Sequence, residues 1–308
     1  MKIIRDLTEL GVPSQRACLA IGVFDGVHLG HQQVIRQTIS DAQRQGAIPV
    51  VITFDRHPNS VVAPERTPPL IYSLAQKLRV IASIGPQAAF LIQFDRAFSE
   101  QSGEVFIREL ARGFGQIQSI CVGSNFTFGH KRSGNVALLK TLGQELKFAV
   151  HGLAAVSLDG KTVSSTRIRE AIRNGNLDAA SQMLGRTYAV AGSVTQGDQL
   201  GRELGFPTAN LDVTGLALPP DGVYAVHVCA QGESYRGVLN IGHRPTLQTP
   251  EALRRFEVHV LDFDGDLYGQ EIEVIFGEKL RDEQKFPSLE ALTQQIARDI
   301  AAARGLFG

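Results

Sequence analysis

The feature that most restricts the fold is a change of rhythm past the middle of the chain. Before it, short and nearly continuous apolar runs at residues 17–23, 48–54, 88–94 and 117–122 alternate with one-sided helical spacing at 32–45, 74–84 and 103–112. A strand that is apolar on both faces must be covered on both faces. The alternation therefore predicts an α/β region with a parallel sheet and right-handed crossovers. Such sheets take ligands at the carboxyl ends of their strands, which points to the turns after residues 23, 54 and 122. After about residue 184, strand-like segments at 188–194, 223–229, 235–241, 256–261 and 271–276 follow one another across Gly, Pro and Asp turns. No helical pattern intervenes until residues 289–304. This predicts a small antiparallel β-barrel with a C-terminal helix. Two domains are expected, 1–183 and 184–308, each long enough to bury its own core.

Hydrophobic residues make up 43% of the chain and charged residues 20%, a balance that fits a folded protein and excludes a disordered one. No run approaches the roughly 18–20 apolar residues a membrane helix needs. Lys2 and Arg5 are followed by Asp6 and Glu9 rather than by the apolar core of a secretory signal, so a cytoplasmic location is expected. Cys18, Cys121 and Cys229 each sit in an apolar run and read as small buried hydrophobes. Net charge is zero, yet residues 1–183 carry 20 Lys and Arg against 14 Asp and Glu, and residues 184–308 carry 11 against 17. A mildly basic first half suits a polyphosphate ligand. It is too weak for a nucleic-acid surface, and no nucleic-acid or membrane partner is expected. A transient homo-oligomer stays open.

The strongest local signal is Gly22-Val23-Phe24-Asp25-Gly26-Val27-His28-Leu29-Gly30-His31, directly after the first strand and opening the first helix. Gly22, Gly26 and Gly30 let backbone amides approach a phosphate with no Cβ in the way. A helix N-terminus adds oriented N–H groups and partial positive charge. His28 and His31 are one turn apart and can face one bound group, stabilising charge on an attacked phosphate. Val163-Ser164-Ser165-Thr166-Arg167-Ile168-Arg169 supplies a second set, in which hydroxyls able to cap a helix are followed by two guanidinium forks suited to phosphate. In the second half, Gly197, Gly201 and Gly205 precede Pro207-Thr208-Ala209-Asn210 without any Walker-type loop. Thr208 and Asn210 alternate on one face of an extended segment and offer hard oxygen donors. Taken alone, this stretch also reads as an ordinary turn.

The first two motifs resemble those of the nucleotidyltransferase superfamily. The His-x-Gly-His element also occurs in class I aminoacyl-tRNA synthetases, but this chain lacks a Lys-Met-Ser-Lys-Ser-like loop and a basic anticodon-binding region. The second half resembles bacterial riboflavin kinase. From about Leu19 to Asp299 the whole chain is similar to the bifunctional riboflavin kinase/FMN adenylyltransferase family. Further shared elements are Thr53-Phe54-Asp55, His57-Pro58, the Gly123–Gly129 stretch, Gly222-Val223-Tyr224, Asn240-Ile241-Gly242, Pro245-Thr246 and Glu257-Val258-His259.

The resemblance implies a Rossmann-like nucleotidyltransferase domain followed by a kinase barrel, which together convert riboflavin to FMN and FMN to FAD with ATP. It implies Glu257 as general base, with Thr208 and Asn210 holding Mg2+ and, with Gly197, Gly201 and Gly205, the ATP phosphates. Arg281 and Phe286 would cover the flavin. In the first domain it implies His28 and His31 as catalytic residues. Gly22, Phe24, Asp25, Gly26, Gly30, Ser164, Ser165, Thr166 and Arg169 would lie around ATP, with Asn125, Phe126 and Phe128 at the flavin end. Arg56, Thr127 and Asn125 depart from the common pattern, where Pro, Arg and Asp are frequent. They leave one alternative, a riboflavin kinase with an impaired adenylyltransferase domain.

Overall fold

The computed structural model describes residues 1–10, 16–197, 200–243 and 254–307. Pro245 and Thr246 lie outside the described residues. The chain divides into two compact units: residues 1–168 with Met183–Gly185, and residues 169–182 with 186–308.

The first unit is built on β1 (Lys2–Ile4), β2 (Arg16–Ile21), β3 (Ile48–Phe54), β4 (Ala88–Ile92), β5 (Gln116–Gly123) and β6 (Ala149–Leu153). They form one sheet in the order β1-β4-β3-β2-β5-β6, with every neighbouring pair parallel. The central strands are apolar on both faces because both are covered: Val50, Val51 and Ile52 are all fully buried. The covering helices are α1 (Leu29–Gln45), α2 (Leu74–Ile84), α3 (Gly103–Phe114) and α4 (Val136–Leu146). Ser73, Ser102 and Asn135 cap the last three by accepting the N–H of the residue three positions on. Strands β1 and β6 and helix α4 go beyond the apolar runs of the sequence. Both strands are short sheet edges, and β6 carries His151 and Gly152, so neither shows a continuous apolar signature.

The strand order places β3 and β4 on one side of β2, and β5 and β6 on the other. The chain thus reverses direction across the sheet at the β2/β5 boundary. A crevice opens there at the carboxyl ends, where doubly wound sheets bind ligands.

The second unit is a closed barrel. Its strands are β7 (Ala189–Thr195), β8 (Ala209–Leu211), β9 (Gly222–Ala230), β10 (Glu233–His243), β11 (Arg254–Val260) and β12 (Glu271–Arg281). Their order is β7-β8-β11-β10-β9-β12, all antiparallel, with β12 closing on β7. Along β11 the period-2 pattern is plain: Phe256, Val258 and Val260 are buried, while Arg255, Glu257 and His259 alternate with them and are partly exposed. Inside, the Phe276 ring is stacked on Tyr188 and meets Tyr224 edge-on. The C-terminal helix, Leu289–Leu306, packs on the outside of β9, β10 and β12. Among the described residues no helix is long and apolar enough to cross a membrane.

Candidate active sites

At the β2/β5 reversal point lies a cavity of about 360 Å³ lined by the Gly22–His31 turn and by Ser124, Asn125, Phe126 and Thr127 from the loop after β5. The turn is tightly specified. The buried Phe24 adopts φ 54°, and its ring lies so close that a Cβ on Gly22 would sit 3.0 Å from it. Gly26 has φ 76° and packs against Ile71, while the β-branched Val27 is held at φ 41°. A β-branched residue in the left-handed region is strained, and strain of this kind gathers at sites whose geometry is fixed for use. His28 then caps α1, its Nδ1 accepting the N–H of His31 at 3.4 Å. The two imidazoles are stacked with centroids 3.6 Å apart, and His31 also meets Phe24 edge-on at 5.3 Å.

Other predicted residues sit around this turn in different ways. Asp25 is buried, and its carboxylate accepts the backbone N–H of Ile71 at 3.0 Å and of Tyr72 at 3.4 Å. It therefore holds the 71–72 segment against the turn. Ser165 Oγ donates to the Asp25 carbonyl at 3.0 Å, which physically joins the two sequence motifs. Ser164 Oγ accepts the Arg167 N–H, and Thr166 is exposed. Arg167 clamps the Leu158 and Lys161 carbonyls. Arg169 is buried and belongs to the second compact unit. Asn125 and Phe126 line the cavity. Phe128 stacks on Phe126 at 5.2 Å and contacts Phe106, its ring filling the space over Gly134.

The sequence reading missed Lys77. Its ammonium is buried behind Val23 and donates to the Phe54 carbonyl at 2.8 Å, Thr53 Oγ1 at 3.3 Å and the Val23 carbonyl at 3.4 Å. It ties the ends of β2 and β3 together at the start of the turn. Burial lowers this ammonium to about 8, although Asp25 and Asp55 favour its charge. Between that value and the ordinary lysine range the unfolded chain binds more protons than the folded one. The Lys77 contribution to stability therefore rises with pH across that window. Urea unfolding at pH 7.5 and 9.5 should show this rise reduced by up to ~1.4 kcal/mol per pH unit in Lys77→Met. An identical pH dependence in the variant would show that Lys77 does not titrate there.

In the barrel, a cavity of about 350 Å³ brings together Thr208, Asn210, Glu257, Arg281 and Phe286. The pairing explains why. Glu257 lies directly opposite Asn210 on β8 and opposite Asn240 on β10, so the carboxylate is flanked by two amides. Arg255, two residues earlier on the same face, donates Nη1–H to Glu257 Oε1 at 3.1 Å. A Cβ on Gly197 would collide with the Asn210 amide, and one on Gly201 would meet the Phe206 carbonyl at 2.5 Å. These two glycines thus allow close approach to Asn210 and to the Phe206 carbonyl, while Gly205 supplies φ 85°. Arg281 is held by the buried Asp299 through three hydrogen bonds of 2.8–3.1 Å and lies over the Phe286 ring. A neighbouring cavity of about 380 Å³ shares Thr208 and is bounded by Arg202, Phe263, Asp264, Leu267 and Tyr268. The sequence showed Asn240 only as part of a shared motif and gave Asp299 no role; the strand pairing and the helix packing place both at the site.

Residues 12–167 match the family described as FAD synthetase, and residues 184–307 the family described as riboflavin kinase. The chain is 38% identical over 310 residues to the bifunctional riboflavin kinase/FMN adenylyltransferase of Escherichia coli strain K12, covering 100% of this chain and 98% of that protein. It is 40% identical over 308 residues to the Pseudomonas fluorescens protein of the same description, covering 99% and 98%. A solved structure described as a macrolide-efflux protein from Streptococcus pneumoniae is 30% identical and superposes with a TM-score of 0.80 over 98% of both chains.

Proposed function

The chain belongs to the bifunctional riboflavin kinase/FMN adenylyltransferase family, and from that premise we propose how its residues divide the work. It is a transferase with two activities: it phosphorylates riboflavin to FMN and adenylylates FMN to FAD. The observation that carries the assignment of residues is that each unit has its own cavity, and each cavity gathers the motif suited to one reaction. We assign adenylyl transfer to residues 1–183 and phosphorylation to residues 184–308.

In the barrel, Glu257 takes the proton from the terminal ribityl hydroxyl of riboflavin as that oxygen attacks the γ-phosphorus of ATP. The new O–P bond forms, the bond to the bridging oxygen breaks, and ADP leaves. Thr208 borders both barrel cavities, which suits a flavin in the cavity of Glu257 and a nucleotide in the one beside Phe263 and Tyr268. The Thr208 hydroxyl and the Asn210 amide oxygen fit a hard cation, and Gly197 leaves room for the amide. Mg2+ held there would neutralise phosphate charge.

In the first unit, a phosphate oxygen of FMN attacks the α-phosphorus of ATP and pyrophosphate leaves. His28 and His31 stabilise the charge on the transferring group. Asn125 and Phe126 offer the flavin an amide and an aromatic face. A covalent intermediate is not needed. Cys121 is buried and its thiol is pushed up to about 12, chiefly by burial, which makes it a poor nucleophile. Of the unusual residues, Arg56 is bonded to Asp55 and lines a small cavity with Lys77 rather than the one lined by the stacked histidines. Its presence is compatible with a working adenylyltransferase. We place the enzyme in the cytoplasm.

The direct test supplies ATP and magnesium with riboflavin or with FMN and follows products by chromatography. FAD is expected from both. FMN without FAD would leave the kinase alone standing.

A further inference from the structure

We infer that Arg255 receives the newly made phosphate of the flavin, exchanging the Glu257 carboxylate for it during the reaction. This rests on the reading of Glu257 as the base. The guanidinium lies in the same cavity as Glu257 and donates to Oε1 at 3.1 Å, with both side chains partly exposed to that cavity.

The proton and the phosphoryl group meet at one atom. The hydroxyl oxygen that gives its proton to Glu257 becomes the ester oxygen of the product. The phosphoryl group therefore forms one bond beyond an atom within hydrogen-bond reach of Glu257, next to Arg255. Proton transfer changes the charges in the same step. Glu257 becomes a neutral acid and loses most of its hold on the guanidinium, while a phosphate monoester with about two negative charges appears beside it. A planar guanidinium fork suits both partners, so it can move from one to the other without a new cation entering the site.

The surroundings favour Arg255 over the other arginine of the cavity. Arg281 is bound by the buried Asp299, which fixes its fork on the helix side. The residue opposite Arg255 is Gly242, which has no side chain of its own to fill the space above the strand. The Glu283 carboxylate enters that space, where a Cβ on Gly242 would collide with it. His259 is engaged with the Pro207 carbonyl at 2.7 Å.

The test reads the kinase site through its own product, because ADP arises only from phosphorylation whereas adenylyl transfer releases pyrophosphate. Initial rates of ADP formation from riboflavin are measured in the full chain with FMN added as product inhibitor. In Arg255→Gln the inhibition constant for FMN should rise about 10-fold or more, as loss of a charged hydrogen bond to phosphate implies. The KM for riboflavin, which has no phosphate, should stay within about 3-fold. Arg255→Lys should recover part of the FMN affinity, since it restores charge without the fork. If both constants are unchanged, or rise together, the inference is overturned and Arg255 only shapes the cavity. Glu257→Gln serves as the separate control. Undiminished ADP formation in that variant would remove the base itself, whatever Arg255 does.

Discussion

Replacing Glu257 with Gln should lower ADP and FMN formation from riboflavin by about 10²-fold or more, while FAD formation from supplied FMN continues at the parental rate. The magnitude follows from what each part of the site contributes. General-base catalysis is typically worth 10²–10⁴-fold. Phosphoryl transfer relies mostly on positioning and charge neutralisation, which the variant retains, so the lower part of that range is expected. Gln keeps the size of the side chain and its place between Asn210 and Asn240, the residues opposite it on the neighbouring strands. Stability should change little, because the Gln amide oxygen can still accept the Arg255 Nη1–H that the carboxylate accepts at 3.1 Å. Chromatography of the two half-reactions, with a urea unfolding curve as control, decides the matter. A parallel fall in FAD formation from FMN would break the assignment of one reaction to each unit.

How much of this was legible beforehand depended on whether a residue's role is local. The buried strands β2, β3, β4 and β5 announced themselves because a strand covered on both sides must be apolar throughout. The barrel did so through alternation of the kind seen at Phe256, Glu257 and Val258. The edge strands Lys2–Ile4 and Ala149–Leu153 carried no such signature, because one side of an edge meets solvent or loops. The site motifs were readable as motifs, but the use of individual side chains was not. Asp25 read as a residue around ATP, and what the sequence did not show is that its carboxylate anchors the backbone of Ile71 and Tyr72, 46 and 47 positions away. Phe128 read as a residue at the flavin end, and its packing over Gly134 and on Phe126 was not visible in the sequence. Lys77 lies within the helical spacing at 74–84 and drew no reading of its own, and only the meeting of β2 and β3 gives its ammonium three acceptors. The Asp25 and Lys77 contacts reach across 23 to 54 positions of sequence, which local pattern does not encode.

The complementary prediction concerns His31. Replacement with Ala should reduce FAD formation from FMN by about 10²–10³-fold, the usual loss when one group stabilising a transition state is removed. FMN formation from riboflavin should persist. The difficulty is that His31 has two jobs. Its ring is stacked on His28 at 3.6 Å and edge-on to Phe24 at 5.3 Å, inside a turn that already holds Phe24 and Val27 at positive φ. Removing the ring could loosen the turn without touching the chemistry. His31→Phe separates these effects, because it keeps an aromatic face for His28 and Phe24 but carries no nitrogen to meet a phosphate. If the Phe variant is as impaired as the Ala variant, the loss belongs to the imidazole nitrogen. If it recovers most of the activity, the ring acts by packing, and charge stabilisation must be reassigned to His28. His28 is a poorer first target, since its Nδ1 also caps α1 and its loss would cost about 0.5–2 kcal/mol of helix stability in addition. Testing His31 first therefore keeps the stability of the turn and the chemistry of transfer on separate readouts.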